Sequence, residues 1–138
     1  MGVIVLGYDA SPGARPALDC AVDLAREHGD ELVIAYGVAP PGGVGEEWRE
    51  NRAALEDQAR AHTAEALAKA EQAGLRASVE LVPERPAPAL VEVADARDAR
   101  FIVVGTWGES PLRGAILGST PHKLLHISAR PVVVVPAR

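Results

Sequence analysis

Phe101-Ile102-Val103-Val104-Gly105-Thr106-Trp107-Gly108, then nine residues, then Gly118-Ser119-Thr120, is the stretch whose reading decides the fold. A short apolar run that ends in glycine reads as a buried strand. The last glycine, Gly118, stands where a helix is expected to start, so the order is strand, glycine-rich loop, helix N-terminus. That order suits an anion. Glycines let backbone approach a ligand closely, a helix N-terminus presents unpaired N–H groups, and its dipole favours negative charge. Ser119 and Thr120 add hydroxyl donors at the helix start. The loop is not a P-loop, because it lacks the Gly-Lys-Ser/Thr ending and a lysine placed to reach phosphate.

Working outward, apolar runs alternate with helix-period segments along the whole chain. Residues 3–8 read as a buried strand that ends at Asp9-Ala10-Ser11-Pro12-Gly13. Ser11 followed by Pro12 predicts a helix start, with the hydroxyl as cap and proline at the first helical position. Ala17, Leu18, Ala21, Val22, Leu24 and Ala25 then form one broad apolar face, closed by Gly29. Residues 32–38 give a second strand, and the Pro- and Gly-rich residues 40–45 a flexible loop. A long polar helix is expected over about 46–73, ended by Gly74. Ala77, Val79 and Leu81 alternate with polar residues, as in a half-exposed third strand. Residues 83–88 read as a turn, 89–96 as a short helix, 101–104 as a fully buried fourth strand, 121–128 as a last helix and 132–135 as a fifth strand. Repeated β-α units with strands buried on both faces imply an α/β fold: an open, doubly wound parallel sheet with helices on both faces.

Composition bounds the function. The chain has 138 residues, within the usual size of one domain, and 48% of them are hydrophobic, enough for a real core. No apolar run reaches the roughly 18 residues of a membrane span. The net charge of −5 argues against nucleic acid or an anionic membrane as partner. One cysteine, Cys20, allows no internal disulfide and fits a reducing compartment. The start MGVIVLGYD runs directly into a strand with no basic leader, so a cytoplasmic location is expected.

The spacing of Gly105, Gly108, Gly118 and Ser119 resembles the ATP-binding signature of the universal stress protein family. So does the opening, an apolar strand into Gly7-Tyr8-Asp9-Ala10-Ser11, and so does the ending, Ala129-Arg130-Pro131 before a valine strand. The similarity covers essentially the whole chain, residues 1–138 as a single domain. The resemblance implies a Rossmann-like five-stranded sheet in the order 3-2-1-4-5, with ATP at the carboxyl ends of the strands; Mg²⁺ is expected with it because that ion commonly travels with a triphosphate. Doubly wound sheets bind ligands where neighbouring strands send their connections to opposite faces, which brings Asp9 beside Gly105. By resemblance, Asp9 lies on the adenine and ribose side, the backbone at Gly37 and Val38 meets adenine, and Gly105 meets ribose. Gly108, Gly118, Ser119 and Thr120 meet the phosphates. The resemblance also implies a homodimer through the fifth strand, Val132–Val135, an edge strand bracketed by Pro131 and Pro136. Trp107, Pro111, Glu109 and the Glu84-Arg85-Pro86 turn depart from the family pattern.

With Ser11 as the helix cap, Asp9 is left for a ligand. His122 and His126 stand four apart, a metal-ligand spacing, but no third ligand accompanies them and no metal site is assigned. Cys20, His28 and His62 read as ordinary helix residues, and Trp48 as a packing residue. Catalytic machinery is not evident, so the expectation is an ATP-binding regulatory protein and not an enzyme, with slow hydrolysis at most a side activity. The alternative is a dimeric interaction module of the same fold that uses no nucleotide. A phosphorylated receiver domain would need paired acids after the first strand, an aspartate after the third and a lysine after the fifth. An adenylate-transferring enzyme would need a His-containing phosphate motif after the first strand. Neither pattern is present.

Overall fold

The computed structural model describes residues 1–38, 46–106 and 117–137, with backbone alone for 46–50. Five strands and four helices alternate: β1 Val3–Gly7, α1 Ala14–His28, β2 Glu31–Gly37, α2 Glu46–Gln72, β3 Ala77–Val82, α3 Pro86–Arg97, β4 Phe101–Gly105, α4 Ser119–Ile127 and β5 Val132–Val135. All neighbouring strands pair in parallel, in the order β3-β2-β1-β4-β5. This is the doubly wound α/β sheet expected from the alternation of apolar runs, in the order the resemblance implied.

The register explains why the central strands read as unbroken apolar runs. Val5 lies opposite Val33 on one side and Ile102 on the other, and both faces of β1 are covered. One face packs on α3 and α4 through Val5, Val33, Leu90, Val93, Ile102 and Leu124. The other packs on α1 and α2 through Ile4, Leu6, Leu18, Leu32, Ile34 and Ala66. Each buried Leu, Ile or Val side chain contributes roughly 1.5–3 kcal/mol on leaving water. The edge strands β3 and β5 are only half-buried along most or all of their length, as the alternation in 77–81 predicted for β3.

Three local expectations are corrected. Residues 83–88 are not all turn: α3 begins at Pro86, and both Pro86 and Pro88 sit in its first turn, where a missing N–H leaves no helical bond unmade. The last helix begins at Ser119 rather than at 121, with Gly118 as its N-cap residue. Ser11 does not cap α1, which starts at Ala14 with Gly13 as N-cap and no side-chain cap bond.

The amino ends of the strands are fastened by one buried carboxylate. Asp30, whose side chain is fully buried, accepts Nε of Arg100 at 2.7 Å and the main-chain N–H of Gly2 at 2.9 Å. These contacts tie β1, β2 and β4 together at the end of the sheet remote from the glycine motif. At the α3 side, Arg97 bridges Glu31 and Glu80, and Arg130 clamps the C-terminal end of α3 through Asp95 and Asp98.

Candidate functional site

A cavity of about 160 Å³ opens at the carboxyl ends of β2, β1 and β4. Its walls come from both faces of the sheet: Ala14 of α1 on one, Pro86 and Leu90 of α3 with Thr120 and Pro121 of α4 on the other. The cavity lies where the connections after β1 and β4 part to opposite faces, the general ligand position of such sheets.

Gly7, Tyr8, Asp9 and Ser11 line the centre of the cavity, beyond the end of β1. Ala10 takes a left-handed conformation with φ 64°, costly for a residue with a Cβ. Asp9 stabilises that turn by accepting the Ser11 N–H on Oδ1 at 3.0 Å, and the Ser11 carbonyl accepts the Ala14 N–H at 3.0 Å. The turn is the physical reason Ser11 misses the helix end: it drives the residue into the interior, 3% exposed, with a buried hydroxyl that has no hydrogen-bond partner among the described residues. Tyr8 is also buried. Burial and then the Glu65 carboxylate push its phenol upward, while the Arg15 guanidinium pulls the other way.

The β2 side is the most apolar. Ala35, Tyr36, Gly37, Pro86 and Leu90 form it. The Tyr36 hydroxyl is hydrogen-bonded to Nδ1 of His62 at 3.1 Å, so a residue of α2 positions a wall of the cavity. Gly37 is required by packing as well: a Cβ there would stand 2.5 Å from the Glu84 carbonyl oxygen. Val38, expected to meet a ligand through its backbone, does not line the cavity. Its N–H donates to the Val82 carbonyl at 2.8 Å and its side chain packs with Ala59.

On the β4 side, Gly105, Thr120 and Pro121 complete the wall. Gly118 donates its N–H to the Thr106 carbonyl at 2.6 Å, which clamps together the two ends of the glycine motif. Gly118 sits at φ −62° in extended backbone with no side-chain cap bond, so left-handed freedom is not what glycine supplies there. Pro121 has no N–H, leaving those of Ser119 and Thr120 as the donors of the first turn of α4. The Thr106 hydroxyl is buried without a partner. Gly108, Trp107, Glu109 and Pro111 lie outside the described residues.

The structure therefore brings Asp9, Gly37, Gly105 and Thr120 into one cavity, with Gly118 and Ser119 at the adjoining helix start. Ser11, Tyr36, Pro86, Leu90 and the His62 support were missed. Ser11 was legible only as a cap, and the apolar wall residues look like any others of the core. Among the described residues, no group of three His, Cys, Asp or Glu side chains could hold a metal ion. His122 and His126 stack edge to face, with ring centres 4.9 Å apart, on the exposed side of α4. Cys20 is half-buried and its thiol is pushed up by burial and by Asp23, as for an inert structural cysteine. No described helix is long and apolar enough to cross a membrane.

A model of the Universal stress protein family matches residues 1–136. A universal stress protein of Mycolicibacterium smegmatis is 33% identical over 140 residues, covering 98% of this chain and 46% of that protein. The chain thus spans less than half the length of this relative. One of Thermus aquaticus is 32% identical over 133 residues, 96% of each chain. Among solved structures, a universal stress protein in complex with cAMP superposes with a TM-score of 0.78 at 28% identity, covering 99% of this chain and 98% of that one.

Proposed function

The chain belongs to the universal stress protein family, and from that premise we propose that it binds an adenine nucleotide, ATP in the cell, as a regulatory protein of the stress response. The observation that carries this reading is the composition of the cavity in strand order: an apolar wall at β2, an acidic and hydroxyl-bearing turn at β1, and a helix N-terminus with unspent N–H donors at β4. Base, sugar and phosphate match those three zones in turn. The cAMP bound by a relative of the same fold supports the choice of adenine.

Ser119 and Thr120 receive phosphate through N–H groups, helped by the α4 dipole, and Gly118 lets the phosphate approach the backbone closely. Mg²⁺ travels with the triphosphate, held by phosphate oxygens and water more than by protein. Binding is the main activity of this cytoplasmic protein, and hydrolysis at most a slow accompaniment. Thermal melting with ATP or ADP, with and without Mg²⁺, tests the reading. Saturable stabilisation at micromolar ATP is expected; a melting temperature unmoved at millimolar ATP contradicts it.

A second reading is a dimeric interaction module without nucleotide. Edge strand β5, half-buried Val132–Val135, and the exposed Leu125 and Ile127 of α4 favour self-association. The two readings separate on ATP and not on mass, because the nucleotide-binding form is also proposed to dimerise through β5.

A further inference from the structure

The Asp9-Ala10-Ser11 turn is strained, runs from an exposed Ala10 to a buried Ser11, and is only half explained by the fold. Ala10 is held left-handed, Asp9 supports the turn through one carboxylate oxygen, and the outcome is a serine hydroxyl with no hydrogen-bond partner among the described residues. Ser11 is 3% exposed, its Oγ is buried without a partner, and the residue lines the cavity. The helix that follows makes no use of the hydroxyl, since its N-cap is Gly13 without a side-chain bond. A buried hydroxyl without a partner is unfavourable, and strained backbone of this kind persists where a site needs it.

We propose that Ser11 is a sugar-reading residue: its Oγ, together with the Asp9 carboxylate that lines the same cavity, recognises the vicinal hydroxyls of a ribose and selects ribonucleotides over deoxyribonucleotides. The inference rests on the nucleotide-binding reading above and adds a specificity to it. The chemistry follows from the two groups. An ionised carboxylate only accepts, and a serine hydroxyl both donates and accepts. Two neighbouring hydroxyls suit such a pair, because one donates to Asp9 while the other exchanges bonds with Ser11. The position follows from strand order. Asp9 and Ser11 follow β1, which lies between β2 with its apolar wall and β4 with the α4 N-terminus. A ligand laid across the three strand ends with its base on β2 and its phosphates on α4 has its sugar over β1.

The test is calorimetric titration of the parent chain and Ser11→Ala with ATP, 2′-deoxy-ATP and 3′-deoxy-ATP, together with melting of both proteins without ligand. The parent is expected to bind ATP about tenfold more tightly than at least one deoxy analogue, the size of one net hydrogen bond. Ser11→Ala is expected to bind ATP about tenfold more weakly and to lose that discrimination. Its melting temperature without ligand is expected to equal or exceed the parent's, because the hydroxyl serves no protein partner; a clear fall would assign Ser11 a structural role and overturn the inference. So would ATP affinity unchanged in Ser11→Ala, or a parent that binds all three nucleotides alike. A parent that binds none of them defeats the nucleotide-binding reading itself, and this inference with it.

Discussion

A Cβ on Gly105 would stand 2.5 Å from the carbonyl oxygen of Gly13, so the end of β4 and the start of α1 meet backbone to backbone beneath the cavity. The first glycine of the motif is therefore needed by the fold, apart from the ligand contact proposed for it. Gly105→Ala is expected to destabilise the chain by about 1–3 kcal/mol, the usual cost of overpacking, because neither backbone can step aside as a side chain would. Urea unfolding checks this, and a midpoint equal to the parent's would contradict it.

Ala10→Gly is expected to act in the opposite direction. The left-handed conformation at φ 64° costs an alanine roughly 1–2 kcal/mol, while glycine in its place adds roughly 0.5–1 kcal/mol of chain entropy. The balance is a gain of up to about 1.5 kcal/mol, a rise of up to about 6 °C in melting temperature. A lower melting temperature would show that the turn is not strained.

Acid is expected to weaken the sheet at the end remote from the cavity. The bond from Arg100 holds the Asp30 carboxyl below the usual carboxylate range, helped by the Gly2 N–H and the Arg100 charge and opposed by burial. A carboxylate lowered on folding stabilises the protein fully above its unfolded value, about 3.9, and loses that contribution as pH falls through the folded value. Asp30→Asn is expected to be less stable at neutral pH and to lose less on acidification. Denaturant midpoints followed from neutral pH to about pH 3 decide the matter; parallel curves for the two proteins would contradict it.

Thr120→Glu separates helix stability from ligand binding. A carboxylate in the first turn of α4 favours the helix by about 0.3–1 kcal/mol, yet it occupies the wall where phosphate is proposed to sit. The variant is expected to melt no lower than the parent without ligand and to bind ATP at least about tenfold more weakly. Unchanged ATP affinity would move the phosphates away from α4.

The sheet was legible because its central strands are buried on both faces and so read as unbroken apolar runs, 3–8, 32–38 and 101–104, punctuated by Gly and Pro. The start of α3 was not, because Pro86 and Pro88 look like turn residues until a helix end is known to tolerate them. Of the candidate residues, Asp9, Gly37, Gly105 and Thr120 line one cavity, which motif and strand order were enough to bring together. Ser11 was misread because Ser-Pro is an ordinary helix start, and only the left-handed Ala10, a tertiary matter, turns its hydroxyl away from that task. Val38 stands outside the cavity wall, with its N–H paired to the Val82 carbonyl.

Nucleotide is proposed to lie across the ends of β2, β1 and β4. Amide chemical shifts of the labelled protein, recorded by NMR during an ATP titration, test this most directly. The expected result is saturable shifts centred on Gly37, Asp9, Ser11, Gly105, Ser119 and Thr120, with Asp30 and Arg100 at the far end of the sheet unmoved. Shifts centred elsewhere, or none at millimolar ATP, would contradict it.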